Sequence, residues 1–240
     1  MSVYLLVHGG FYGGWGWTQV AKYLRAEGHE VFTPTLTGLG ERAHLANPEI
    51  NLDTHIQDII GVLECEDLSQ VILVGHSYGS MVITGVAERE PERLSRLVYV
   101  DTAIPKDGQS WLDLMGPEMA KQFLDLAKKE GDGWRIPLVP SPPRWQPHPL
   151  KTCTDSLEVK NPAAVRIPRA FIHCTSRSKE SPVALAWPAI DRTAEDAKRQ
   201  GWWYRSLPAE HGVNLTMPKE LSEILLELHL MQQLGVIPSE

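Results

Sequence analysis

No apolar stretch in this 240-residue chain approaches the roughly 18 residues needed to cross a bilayer. No basic stripe is available to an anionic polymer either: 23 Lys and Arg stand against 30 Asp and Glu, a formal charge of −7. Neither a membrane nor a nucleic acid is therefore expected as a partner. Cysteine is scarce. Cys65, Cys153 and Cys174 are odd in number and far apart, which fits free thiols in a reducing cytoplasm rather than a disulfide framework or a zinc site. The nine histidines show no H-x3-H spacing and the cysteines no C-x2-C, so no metal is expected. Neither a basic n-region nor a long apolar h-region precedes the first apolar run, so the expectation is a cytoplasmic chain without a signal peptide. Internal repeats are lacking too.

What is present is an ordinary globular composition, 42% hydrophobic and 22% charged, long enough for one large core. Short apolar runs alternate with segments of helical period. Strands are expected at residues 2–7, 30–33, 71–74, 94–100, 171–174 and 202–204. Helices are expected at 17–27, from a cap at Asp53 through Leu63, after Ser77 to before Pro91, at 184–199 and at 218–231. Alternation of this kind implies an α/β fold with an approximately six-stranded, mostly parallel sheet and helices on both faces. The pattern breaks once. Residues 104–167 carry helical character at 118–129 and a proline-rich stretch at 137–149, with no clear strand. Large apolar residues there, among them Trp111, Leu114, Met115, Phe123, Leu124, Trp134 and Trp145, point to a cap over the carboxyl ends of the strands rather than a disordered loop. The core is then 1–103 with 168–240, and 104–167 is the insertion.

One pentapeptide carries the chemistry. Gly75-His76-Ser77-Tyr78-Gly79 follows the apolar run Val71 to Val74 and precedes a helical stretch. G-x-S-x-G arises by chance about once in ten chains of this length; the strand before it and the helix after it are what give it weight. A serine hydroxyl becomes a useful nucleophile when it is exposed, held rigidly and given a base. A sharp strand-to-helix turn supplies the first two conditions and leaves the Tyr78 amide at a helix N-terminus, free to face an oxyanion.

Three segments together resemble the α/β-hydrolase superfamily: His8-Gly9-Gly10-Phe11-Tyr12-Gly13-Gly14-Trp15, Thr33-Pro34-Thr35-Leu36-Thr37-Gly38 and the Ser77 elbow. More narrowly, they resemble the branch of plant methylesterases, hydroxynitrile lyases and their bacterial esterase relatives. The resemblance covers nearly the whole chain and is weakest in the cap. It implies a cofactor-free serine hydrolase with a Ser–His–acid triad. In that chain order the base follows the final strand, where His211 stands. His173 falls in a strand run, His76 beside the nucleophile and His229 within the last helix. The loop from His8 to Gly14 would supply the second oxyanion donor, from Gly10 or Phe11, with Tyr12 near the substrate; His8 itself would bond the loop backbone.

The acid is open at this stage. Members of the branch place it a few residues after a Cys-Thr pair, but here Cys174-Thr175 is followed by Ser176-Arg177-Ser178-Lys179-Glu180. Asp101, at the end of the preceding strand, is the preferred candidate, Glu180 is the second, and a dyad without acid is the third. Lyases of the branch carry a lysine after the catalytic histidine, where this chain has Gly212, and many carry an acidic residue before the serine, where it has His76. Both differences imply ester hydrolysis. The expected activity is cleavage of an apolar small-molecule ester, by one chain or a homodimer. A C–C bond or lactone hydrolase and a non-catalytic receptor are the alternatives.

Overall fold

The computed structural model describes residues 1–138, 144–181 and 183–233. Six strands form the main sheet: β1 (Val3–Val7), β2 (Glu30–Phe32), β3 (Val71–His76), β4 (Leu94–Val100), β5 (Arg169–Cys174) and β6 (Trp203–Leu207). Their order is β6-β5-β4-β3-β1-β2 and every pairing is parallel. The principal helices are α1 (Thr18–Ala26), α2 (Leu52–Cys65), α3 (Gly79–Arg89), α4 (Pro117–Glu130), α5 (Trp187–Arg199) and α6 (Pro218–Gln233).

Side chains alternate across a strand, and that alternation sorts the core into two layers. Leu5, Val7, Leu73, Leu97, Tyr99 and Phe171 face one cluster, shared with α2, α3, α5 and the cap. Tyr4, Leu6, Ile72, Val74, Val98 and Ile172 face the other, closed by Val20, Ala21 and Leu24 of α1 and by Leu221, Leu225 and Leu228 of α6. Helices on both faces explain why the strands read as nearly continuous apolar runs.

Two local expectations are corrected. The N-cap of α2 is Asn51, not Asp53: Asn51 Oδ1 accepts from the Thr54 amide at 2.8 Å and Thr54 Oγ1 answers the Asn51 amide at 3.3 Å. That reciprocal box satisfies two amides at once, which Asp53, inside the first turn, does not. The insertion also contains strand: Gln109–Ser110 pairs antiparallel with Ser156–Leu157, and Arg135–Ile136 with His148–Pro149. Two-residue strands are too short to leave a period in the sequence. Part of the proline-rich stretch, residues 139–143, lies outside the described residues.

Candidate active site

β3 ends in a sharp turn whose close approaches require the glycines at 75 and 79. Ser77 sits at φ +53, in the left-handed region that costs a side chain energy. A Cβ on Gly75 would lie 2.8 Å from the Gly79 carbonyl oxygen, and one on Gly79 would lie 2.9 Å from the carbonyl oxygens of Val7 and His8. Both glycines therefore allow α3 to start against β1 and β3, which lifts Ser77 to the carboxyl edge of the sheet. There it lines a cavity of about 520 Å³ together with His211, Gly10 and Tyr78.

The structure brings Asp101 to His211. Asp101 follows β4, the neighbour of β3, at φ +43. Its Oδ2 accepts from His211 Nδ1 at 2.8 Å, so the ring's other nitrogen is the basic one. Glu180 is exposed and is not that partner. Ser77 and His211 line the same cavity without a hydrogen bond between them, and such contacts commonly tighten only with substrate.

Asp101 is fully buried, which favours its neutral form, but His211 and Arg177 more than reverse this and hold the carboxyl below its usual range. The Arg177 guanidinium lies 3.3 Å from Asp101 Oδ1, and the Cys174 amide donates to the same oxygen at 3.2 Å. Arg177 is shared with Asp191 at 2.6 Å and stacks 4.3 Å from the Trp187 ring. No sequence motif marks Arg177 for this position. Its signal was a cation in the segment that carries the acid in the resembling families.

Behind His211 lies a second network that sequence did not reveal. His76 Nε2–H donates to the His211 carbonyl at 2.7 Å, which leaves Nδ1 to accept the Tyr12 hydroxyl at 2.8 Å. Asn214 Nδ2 donates to the Tyr12 oxygen at 3.4 Å and to the Gly16 carbonyl at 3.0 Å. Burial, with His211 adding, lowers His76 to about 3, so it stays neutral and keeps this pattern.

Of the oxyanion candidates, the structure separates Phe11 from the other two. Phe11, at φ +71, turns its amide toward the cap, where it donates to His148 Nδ1 at 3.3 Å. Among the described residues the Gly10 and Tyr78 amides have no such partner. Phe11 contributes its ring to the cavity wall instead.

Tyr12, Trp111 and Met115 line the cavity, and Trp134 does not. α4 ends at Glu130 with Gly131 as its C-cap, and Asp132 (φ +55) and Gly133 (φ +81) turn the chain. Trp134 then lies half-buried, with the Arg135 guanidinium 5.2 Å from its ring centre. Trp111→Ala is expected to raise KM for bulky esters more than for acetates, whereas Trp134→Ala should treat the two alike. Steady-state kinetics on both ester classes checks this, and equal effects of Trp111→Ala would reduce Trp111 to a packing role. A larger groove of about 830 Å³, bordered by Asp53, Glu88, Arg89 and Lys160, contains none of these residues.

Comparison with known proteins follows the same lines. The family described as Alpha/beta hydrolase family matches residues 4–224. The carbendazim hydrolyzing esterase of Nocardioides sp. is 48% identical over 128 residues, 52% of this chain and 53% of that one. Putative methylesterase 14, chloroplastic, of Arabidopsis thaliana is 33% identical over 124 residues, 50% of this chain and 36% of that one. The chain thus spans about half the length of the first relative and less of the second. Among solved structures, an extracellular alpha/beta-hydrolase from a Paenibacillus species superposes with a TM-score of 0.78 at 23% identity, over 95% of this chain and 98% of that one. A pyrethroid hydrolase from Sphingobium faniae gives 0.74 at 22% identity, over 94% and 96%. The Paenibacillus protein is extracellular, which corrects the cytoplasmic expectation. The three cysteines are free thiols, Cys65 exposed and Cys153 and Cys174 buried, and burial pushes the Cys153 thiol up to about 12, so the two buried ones do not report a redox compartment.

Proposed function

We propose, from the premise that this chain belongs to the alpha/beta hydrolase family, that it is a serine esterase of neutral, apolar, aromatic small molecules. The observation that carries the reading is the 2.8 Å contact of Asp101 with His211 Nδ1, in a cavity shared with the left-handed Ser77. Ser77 Oγ attacks the ester carbonyl while His211 Nε2 takes its proton. The Gly10 and Tyr78 amides hold the oxyanion, and Asp101 stabilises the imidazolium. His211 returns the proton to the departing alkoxide, then activates water to release the acid. Residues 104–167 act as the cap and supply much of the wall.

Substrate chemistry follows from that wall. Phe11, Tyr12, Trp111, Phe123 and Trp145 line it, and among the described lining residues Glu210 is the one carboxylate and no Lys or Arg is present. Burying an unpaired charge there would be costly, so an uncharged, flat ester is favoured. Hydrolysis of carbendazim by the Nocardioides relative supports an aromatic substrate of this kind.

Ester hydrolysis is favoured over cyanohydrin cleavage by two positions. A Cβ at Gly212 would meet nothing within 4 Å, so packing leaves room for a side chain, yet none stands there to stabilise a leaving cyanide. His76 is committed to Tyr12 and the His211 carbonyl. Fluorophosphonate labelling of Ser77 and a panel of aryl, alkyl and methyl esters, carbendazim, lactones and cyanohydrins test the reading. Aryl esters are expected to turn over and cyanohydrins to give negligible rates. A cyanohydrin kcat/KM above that of every ester would overturn it, and an unlabelled Ser77 without turnover would point to a receptor.

A further inference from the structure

The cap hydrogen-bonds the backbone of the oxyanion loop at Phe11. Both of its backbone polar groups are held from the cap: its N–H by His148 Nδ1 at 3.3 Å, and its carbonyl by the Gln146 amide at 2.7 Å. At φ +71, Phe11 occupies a conformation its own side chain disfavours, so something outside the loop has to hold it.

The proton on His148 can be placed from its neighbours. Thr152 Oγ1 donates its hydrogen to the Pro149 carbonyl at 2.8 Å. The same oxygen lies 2.8 Å from His148 Nε2 and must accept there. The ring therefore carries its hydrogen on Nε2 and offers a lone pair at Nδ1, which is what the Phe11 amide requires. The ring is 1% exposed, with ring centres at 4.6 Å to Tyr78, 5.4 Å to Phe11 and 6.0 Å to His55. Burial, with His55 and His8 adding, keeps His148 neutral well below its usual range, so the lone pair persists. A Cβ on Gly10 would lie 3.5 Å from His148 Nδ1, in contact with the ring.

We propose that His148 is a positioning residue of the reaction, which through the Phe11 amide fixes, together with His8 on the other side of Gly10, the direction of the Gly10 N–H and so makes the cap a support of the oxyanion hole. The proposal rests on the esterase reading above. The Gly10 carbonyl and the Phe11 N–H belong to one rigid peptide plane. The preceding plane, which carries the Gly10 N–H, is held by His8, whose Nδ1 donates to the Gly9 carbonyl at 2.7 Å while its Nε2 accepts the Leu36 amide. Anchoring the Phe11 N–H fixes the plane that follows, so Gly10, the flexible joint between the two, is held from both sides. The cost of losing that anchor is misdirection of a donor, not loss of a substrate contact.

The test compares wild type, H148L, H148N and T152V. Turnover of 4-nitrophenyl butyrate gives kcat and KM. Affinity for an aryl trifluoromethyl ketone reads the oxyanion hole: Ser77 Oγ bonds to the ketone carbon, its proton passes to His211 and the ketone oxygen becomes the bound oxyanion. Hydrogen exchange at the Phe11 amide reads the anchor itself. Leucine fills the site without an acceptor, whereas Asn Oδ1 stands close to where Nδ1 does. H148L is expected to lower kcat about ten- to hundredfold, short of the ~10²–10³ lost with a whole oxyanion donor. KM should stay within about threefold, ketone affinity should fall in step with kcat, and exchange at Phe11 should speed up. H148N should recover most of each loss. T152V, which keeps the ring but unfixes its tautomer, should give a smaller loss of the same kind and carries the test if H148L does not fold. Wild-type kcat and ketone affinity in H148L and T152V, or a loss that H148N does not recover, would overturn the proposal alone. Absence of both turnover and ketone capture in the wild type would overturn the esterase reading and this proposal with it.

Discussion

Ser77→Ala is expected to lower kcat by about 10⁴–10⁶, as removal of a nucleophile does where serine and histidine act as a unit. That is roughly 5–8 kcal/mol of transition-state stabilisation at about 1.36 kcal/mol per tenfold. The fold should be untouched. Alanine keeps the Cβ that already tolerates φ +53, and the two close approaches at the elbow belong to Gly75 and Gly79. The anchors around the turn are backbone: the Ser77 amide reaches the Val100 carbonyl at 3.3 Å, and Thr102 Oγ1 donates to the Ser77 carbonyl at 2.8 Å. An unchanged thermal midpoint with lost turnover is the expected pair of measurements. Turnover within tenfold of wild type would remove Ser77 from the mechanism.

Asp101→Asn is expected to lower kcat by up to about 10⁴, because the amide can present its NH2 to His211 Nδ1 and stabilise the wrong tautomer. Two features deepen the loss. Asp101 is fully buried, so no water substitutes for the carboxylate, and Arg177 would remain beside the site with one fewer counter-charge. Glu180→Gln, at an exposed position, should change kcat less than about tenfold. The comparison discriminates sharply. A serine–histidine dyad would leave both variants near wild type, and a Glu180 acid would invert their order. Arg177 still has Asp191 at 2.6 Å in Asp101→Asn, so it keeps one anion and the segment after β5 keeps one anchor. The kinetic loss should therefore exceed the loss of stability by a wide margin, which urea titration alongside the kinetics would show.

The two variants probe residues of different legibility. Ser77 was readable because everything that raises it is local: an apolar strand, two glycines at fixed offsets and a helical period after them. The six strands and their helices were readable for the same reason, since burial on both faces of a parallel sheet writes continuous apolar runs between helical segments. His211 was readable only through chain order, since nothing in Pro208-Ala209-Glu210-His211-Gly212 distinguishes a base from a surface histidine.

What remained for the tertiary structure were choices between residues that look alike along the chain. Whether the end of β4 or the segment after β5 supplies the carboxylate depends on a distance across 110 residues, and that distance is 2.8 Å from His211 Nδ1 to Asp101. Gly10 and Phe11 are neighbours of equal promise until a cap histidine 137 residues away takes the Phe11 amide. Trp111 and Trp134 are both tryptophans of one insertion, and a turn at Asp132 and Gly133 places only the first in the cavity wall. By itself the sequence determined the architecture and the elbow that presents Ser77, because backbone pattern and steric room are properties of neighbours in the chain. Which carboxylate meets His211, which amide of the loop is taken and which side chains line the cavity were decided by the fold alone, because hydrogen bonds and burial are properties of neighbours in space.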